Sequence, residues 1–147
     1  MDITIGSNAA LIAKAQSIRH QIFTIEQGIP RELDTDGLDE TAYHALVTDG
    51  PTPIATARLA VDTTGLAVIA RVGVLKAYRG LGIASKMIEA LMAHAHQLEA
   101  SAIELHAHEY LKDYYAKFGF EFIRYAEVVG GHPLIIMRHE IAPPKAR

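Results

Sequence analysis

The sequence contains no cysteine. Disulfides, thiolate zinc sites and a cysteine nucleophile are therefore excluded. No apolar run approaches the ~20 residues that a membrane-spanning helix needs. The opening Met1-Asp2-Ile3-Thr4-Ile5 has neither the basic start nor the long apolar stretch of a signal peptide. A cytoplasmic location with no membrane association is the expectation. Positive charge is not in surplus either. Fourteen Lys and Arg against 17 Asp and Glu leave a net charge of −3, which argues against a nucleic-acid partner. Internal repeats and low-complexity linkers are missing. What is there is 147 residues, 50% hydrophobic and 21% charged. That composition suits a single domain over 1–147 with a real core, ending in a flexible tail at 142–147.

Hydrophobic periodicity divides the chain. Residues 2–5 alternate as a short strand. Ser7 or Asn8 is suited to cap a helix whose apolar positions include Ala10, Leu11, Ala13, Ile18 and Ile22. From 26 to 41 the periodicity fails: Gly28 and Pro30 precede Asp34, Asp36, Gly37 and Asp39, a long acidic loop. Loops of this length in compact domains are often functional. Strands are expected at 43–48, 54–61 and 66–75, the last two joined by an Asp62-Thr63-Thr64-Gly65 turn. Residues 83–98 form an amphipathic helix with Ile83, Met87 and Leu91 at i, i+4 and i+8. A short buried strand at 102–107 follows, then a helix at 111–118 stopped by Gly119. Strands at 120–125 and 134–138, connected through Gly130-Gly131, close the chain. The expected fold class is α+β: a mixed, mostly antiparallel sheet flanked by helices in three layers.

Strand, glycine turn and helix start meet at Arg79-Gly80-Leu81-Gly82-Ile83-Ala84. The first N–H groups of a helix have no internal partners and lie at the positive end of its dipole. Gly80 and Gly82 lack a Cβ, so a phosphate can come close to the backbone. The segment reads as an anion cradle, although two glycines equally suit a turn without a ligand. A P-loop needs Gly-Lys-Ser/Thr at the helix start, whereas Gly82 is followed by Ile83-Ala84-Ser85-Lys86. A dinucleotide site needs an acid at the end of the next strand, but Glu104 lies inside its strand. The diphosphate of coenzyme A is the third reading.

At this point the sequence resembles a known family. Arg79-x-x-Gly82-x-Ala84 is similar to the Arg/Gln-x-x-Gly-x-Gly/Ala signature of the GNAT acetyltransferases. Arg71-Val72-Gly73-Val74 resembles their cofactor strand, and Tyr115-Ala116-Lys117-Phe118-Gly119-Phe120 their Tyr-x-Lys-x-Gly-Phe segment. The order of elements agrees over nearly the whole chain. Within the family, Phe23-Thr24-Ile25-Glu26-Gln27-Gly28-Ile29-Pro30, followed by Asp36, Asp39 and His44, resembles the ElaA/YjcF-like branch. That branch tends to carry Gly-Ile-Pro-His before the last strand. Here the place reads Gly131-His132-Pro133-Leu134, with the histidine on the other side of the proline.

The resemblance implies a GNAT acyl-CoA N-acyltransferase fold. It implies transfer of the acetyl group of acetyl-CoA, a cosubstrate, to a primary amine of a small-molecule acceptor by direct attack in a ternary complex. A non-catalytic acyl-CoA-binding or sensing module is the alternative. Val72, Gly73 and Val74 would bond the pantetheine arm through their backbone, at a gap between the central strands. Gly80, Leu81, Gly82, Ile83 and Ala84 would cradle the diphosphate, with Arg79 adding charge. His108 stands where many relatives place an asparagine or glutamine facing the cofactor. Tyr115 is the candidate general acid, because a phenol of pKa ~10 can protonate a thiolate whose thiol lies near ~8.5 in a mildly uphill step. Glu26 is the candidate base, placed by the branch motif at the mouth of the substrate loop, with His44 and His106 as weaker candidates.

No metal is expected. His94 and His96 do not share a helix face, His106 and His108 have no further ligand spaced beside them, and Asp34, Asp36 and Asp39 miss the calcium-loop pattern. Those aspartates read either as a solvated loop or as an attraction for a cationic amine. An exposed edge strand offers a route to a homodimer.

Overall fold

The structure, a computed structural model, describes residues 1–129 and 132–141. The Gly130-Gly131 connection, the side chains of residues 127–129 and His132, and the tail at 142–147 lie outside the described residues. Seven strands form one open sheet. In chain order they are β1 (Asp2–Gly6), β2 (Tyr43–Asp49), β3 (Thr52–Val61), β4 (Leu66–Val74), β5 (Ala102–His108), β6 (Glu121–Val129) and β7 (His132–Glu140). Their order across the sheet is β1-β2-β3-β4-β5-β7-β6. Every neighbouring pair is antiparallel except β4 and β5. Each expected strand is present, with ends that move by a few residues.

Helix α1 (Ala9–Arg19) starts at Asn8, whose side chain accepts the Leu11 N–H at 2.9 Å. It does not stop at Arg19. The chain runs on as a π-helical segment, His20–Glu26, and short helix α2 (Arg31–Asp34) interrupts the acidic loop. Helix α3 (Ile83–Gln97) follows the cradle, and α4 (Lys112–Ala116) lies between β5 and β6. The middle of β2 and β3 is buried on both faces, so both faces need cover. One cover is α3, whose Ile83, Met87, Ile88, Leu91 and Ala95 join Ala45, Val47, Ala55 and Leu59 in a single core cluster. Burying a side chain such as Met87 or Leu91 contributes about 1.5–3 kcal/mol each. The other cover is α1, which packs on β2, β3 and β4 through Leu11, Ala15 and Ile18.

The parallel pair does not close along its length. Leu66–Ile69 matches Ala102–Leu105, and there the pairing stops, although β4 continues to Val74 and β5 to His108. Opposite the break, β4 carries a bulge against β3. Arg58 pairs with Ala70 and Thr56 with Gly73, so Ala57 alone faces both Arg71 and Val72. The extra residue, Arg71, takes φ 56°, a left-handed conformation that costs a non-glycine residue about 1–3 kcal/mol.

Candidate active site

The gap between β4 and β5 opens into a cavity of about 340 Å³. Its walls are the divergent strand ends, Ile69 to Val72 and Leu105 to His108, together with Phe23 and Gln27 from the π-helical segment and its end. Ile29, Leu33 and Asp34 supply the rim from the acidic loop. π-Helical turns are rare and are frequent at functional sites. Here Gly73 lets this one sit close to β4: a Cβ at that position would lie 2.9 Å from Ile22 Cδ1 and 3.4 Å from Phe23 Cζ.

The acidic loop is largely exposed, but its three aspartates are all bound by arginines, so their charge is already matched within the chain. Asp34 accepts from Arg19 at 2.8 Å and from Arg71 at 3.0 Å. Asp36 is bound by Arg58 at 2.6 Å and by Arg71 at 3.2 Å. Asp39 is bound by Arg19 at 2.7 Å, by Arg58 at 3.1 Å and by Gln16 at 2.9 Å. Burial pushes the Asp39 carboxyl up, but hydrogen bonds from Arg19 and Gln16 outweigh it and hold the group well below the usual carboxylate range. Asp36 is likewise lowered, because hydrogen bonds from Arg58 and the Leu38 N–H overcome its desolvation. Three arginines thus meet three aspartates. Arg19, 1% exposed on the apolar face of α1, was missed by sequence reasoning. A charge between Ile18 and Ile22 on an otherwise apolar stripe was the available signal. His44 is buried beneath this network with Nε2 2.8 Å from the Asp39 carbonyl oxygen, and it does not line the cavity.

A second groove runs along the cradle. It is lined by Val72, Val74, Arg79, Gly80, Gly82, Ile83 and Ala84 from the expected set. Gly80 and Gly82 have φ 82° and 76°, and a Cβ on either would meet nothing within 4 Å. The left-handed turn and the open space above it fit a diphosphate resting on the backbone. Leu81, also of the expected set, is 58% exposed and lies outside the groove's lining. Arg79 donates through Nε to the Val74 carbonyl at 2.9 Å and through both terminal nitrogens to Glu26, each at 2.7 Å. The hydrogen bonds from Arg79 lower the Glu26 carboxyl below its ordinary value. Glu26 lines neither cavity.

Tyr115 stands where the two cavities meet. Val72, Leu111 and Tyr115 line both. The phenol is 8% exposed, and burial pushes its pKa up to about 12. Tyr114 lines only the cradle groove, with its hydroxyl 2.7 Å from Ser85 Oγ. His106 and His108 share one strand face and line the cavity at the β4–β5 gap, so His108 sits at the gap rather than along the cradle. Among the described residues, no group of three or more His, Cys, Asp or Glu is placed to hold a metal ion. No described helix is long and apolar enough to cross a membrane.

A splayed parallel pair, a bulge beside it and a glycine cradle leading into α3 form one unit, and comparison with known proteins places it. Residues 13–120 match the model of the acetyltransferase (GNAT) family. The chain belongs to the GNAT family. The uncharacterized N-acetyltransferase YjcF of Bacillus subtilis is 29% identical over 120 residues, covering 82% of this chain and 85% of its own. ElaA of Escherichia coli superposes with a TM-score of 0.84 at 25% identity, over 95% of this chain and 99% of that one. An acyl-CoA N-acyltransferase of Pseudomonas aeruginosa does so with a TM-score of 0.84 at 26% identity, again over 95% and 99%. This GNAT protein is of the ElaA/YjcF-like kind, and the family's chemistry is acyl transfer from acyl-CoA.

Proposed function

We propose that this GNAT protein transfers the acetyl group of acetyl-CoA to the primary amine of a small acceptor, by direct attack with both substrates bound. The observation that carries the reading is the place of Tyr115, at the junction of the cradle groove and the cavity at the β4–β5 gap. Donor and acceptor would enter from opposite sides and meet at one phenol.

Acetyl-CoA supplies the activated thioester. Gly80 to Ala84 would hold its diphosphate on backbone N–H groups, with Arg79 adding positive charge once it shares or releases Glu26. The bulged backbone from Val72 to Val74, beyond the last β4–β5 pair, would bond the arm as a missing strand. An N–H there would stabilise the carbonyl oxygen as charge develops. Tyr115 would donate a hydrogen bond to the departing sulfur. Full proton transfer from a phenol near 12 to a thiolate near ~8.5 is uphill by roughly 5 kcal/mol at ~1.36 kcal/mol per unit. Tyr115 therefore completes the transfer only as the new ammonium gives its own proton to a base, from which the phenolate is then reprotonated.

The base must accept that proton. Arg79 weakens Glu26 for this task, and Glu26 lines neither cavity. We assign Glu26 to holding Arg79, and proton acceptance to His106, whose ring lines the acceptor cavity. Histidine is suited to the task because its charge changes near neutral pH. Tyr115→Phe tests the proposal. The expected result is a fall in kcat of about 10²-fold or more, with acetyl-CoA still raising the melting temperature as in the parent. Undiminished turnover would remove Tyr115 from the reaction.

A further inference from the structure

We infer that the acceptor is a monoamine with an apolar or aromatic body, not a polyamine or aminoglycoside. This rests on the proposed function and specifies its acceptor. The acidic loop is the one feature of the sequence that points to a polycation, and the structure spends its charge internally. Asp34 is the only carboxylate among the described residues that line the cavity, and Arg71 is the only guanidinium. They are bonded to each other at 3.0 Å, and Arg19 adds a second cation to Asp34 at 2.8 Å. Asp36 and Asp39 are bound by Arg58, Arg71 and Arg19 behind the wall. Glu26, near the mouth, is bound by Arg79 through both its oxygens. Among the described residues, no carboxylate of the cavity wall is left over for a second or third ammonium.

Apolar side chains, among them Phe23, Ile29, Leu33, Leu105 and Leu134, share the rest of the wall with Gln27, His106, His108 and Tyr115. Large apolar side chains also stay in water at its edge. Leu33 is 68% exposed and Tyr110 is 77% exposed, the latter stacked on His108 with ring centroids 5.5 Å apart. An apolar body can cover these surfaces. The same surroundings disfavour the charged form of one bound amine and so favour its nucleophilic neutral form. They disfavour every further ammonium without return. The cavity's 340 Å³ lies at the small end for a ligand site, which matches a compact amine.

The test compares 2-phenylethylamine, spermidine and kanamycin with acetyl-CoA, reading free thiol and acetylated product by mass spectrometry. The expected kcat/KM for 2-phenylethylamine exceeds that for spermidine on the order of 10²-fold. Leu33→Glu, an exposed position that adds one unpaired carboxylate to the rim, is expected to narrow that ratio at least tenfold, roughly the effect of one added charge. Spermidine or kanamycin acetylated as fast as 2-phenylethylamine by the parent protein would overturn the inference and leave the proposed function standing. Acetyl-CoA raising the melting temperature with no amine acetylated would overturn both.

Discussion

Glu26 and His106 take different positions. Glu26 sits at the end of the π-helical segment against Arg79, whereas His106 projects from β5 into the cavity at the β4–β5 gap. A base must lose its proton before it can act, so it produces the acidic limb of the rate profile. Glu26→Gln is expected to keep that limb, because the substitution removes only the partner of Arg79. His106→Gln, at an exposed side chain, is expected to flatten the limb and lower kcat. Stopped assays from pH 5 to 9 measure both. Loss of the limb in Glu26→Gln instead would return the base role to Glu26. At this scale the sequence named Tyr115 and the cradle glycines, because their residue types carry the motif. It could not show that Arg79 and Glu26, 53 residues apart, are bound to each other.

The cavity at the gap is built by three elements, none of which is regular. The π-helical segment, the bulge at Arg71 and the ends of β4 and β5 that splay from each other all depart from the expected patterns. A period-2 or period-3.6 reading finds the strand and the helix but not where each breaks. The reason is that the breaks are set by neighbours: Ile22 and Phe23 lie over Gly73, and the ion pairs of Arg71 help offset its left-handed backbone. Gly73→Ala tests this contact. Its Cβ would press on the flexible end of Ile22, costing about 1–3 kcal/mol and lowering the melting temperature by roughly 2–12 °C. Phe23 lines the cavity, so KM for the amine is expected to rise more than KM for acetyl-CoA. Equal changes in the two would separate Gly73 from the acceptor wall.

Across the whole molecule, the three-arginine, three-aspartate network ties α1, the acidic loop, β3 and β4 together, and it makes stability depend on pH. Asp36 and Asp39 have carboxyls lowered in the folded protein, so on acidification the unfolded chain takes up protons first. Their contribution is complete above about pH 5, begins to fall near the ordinary carboxylate value of ~4, and goes on falling through the lower folded values. Urea unfolding at pH 7, 5, 4 and 3 is expected to show that loss. Asp39→Asn leaves Arg19 and Arg58 without a shared anion, so it is expected to cost about 3–5 kcal/mol at pH 7 and to flatten the acid dependence. An unchanged acid midpoint in the variant would assign the pH dependence elsewhere. The sequence by itself determined the order of elements, the α+β class and the glycine turn into α3, because periodicity and local turn chemistry act over a few residues. It also placed an acidic loop beside the site. Only the tertiary structure decided what that loop's charge is for, since Arg19, Arg58 and Arg71 reach it across 15 to 37 residues of chain. A carboxylate's meaning depends on which cation the fold brings to it.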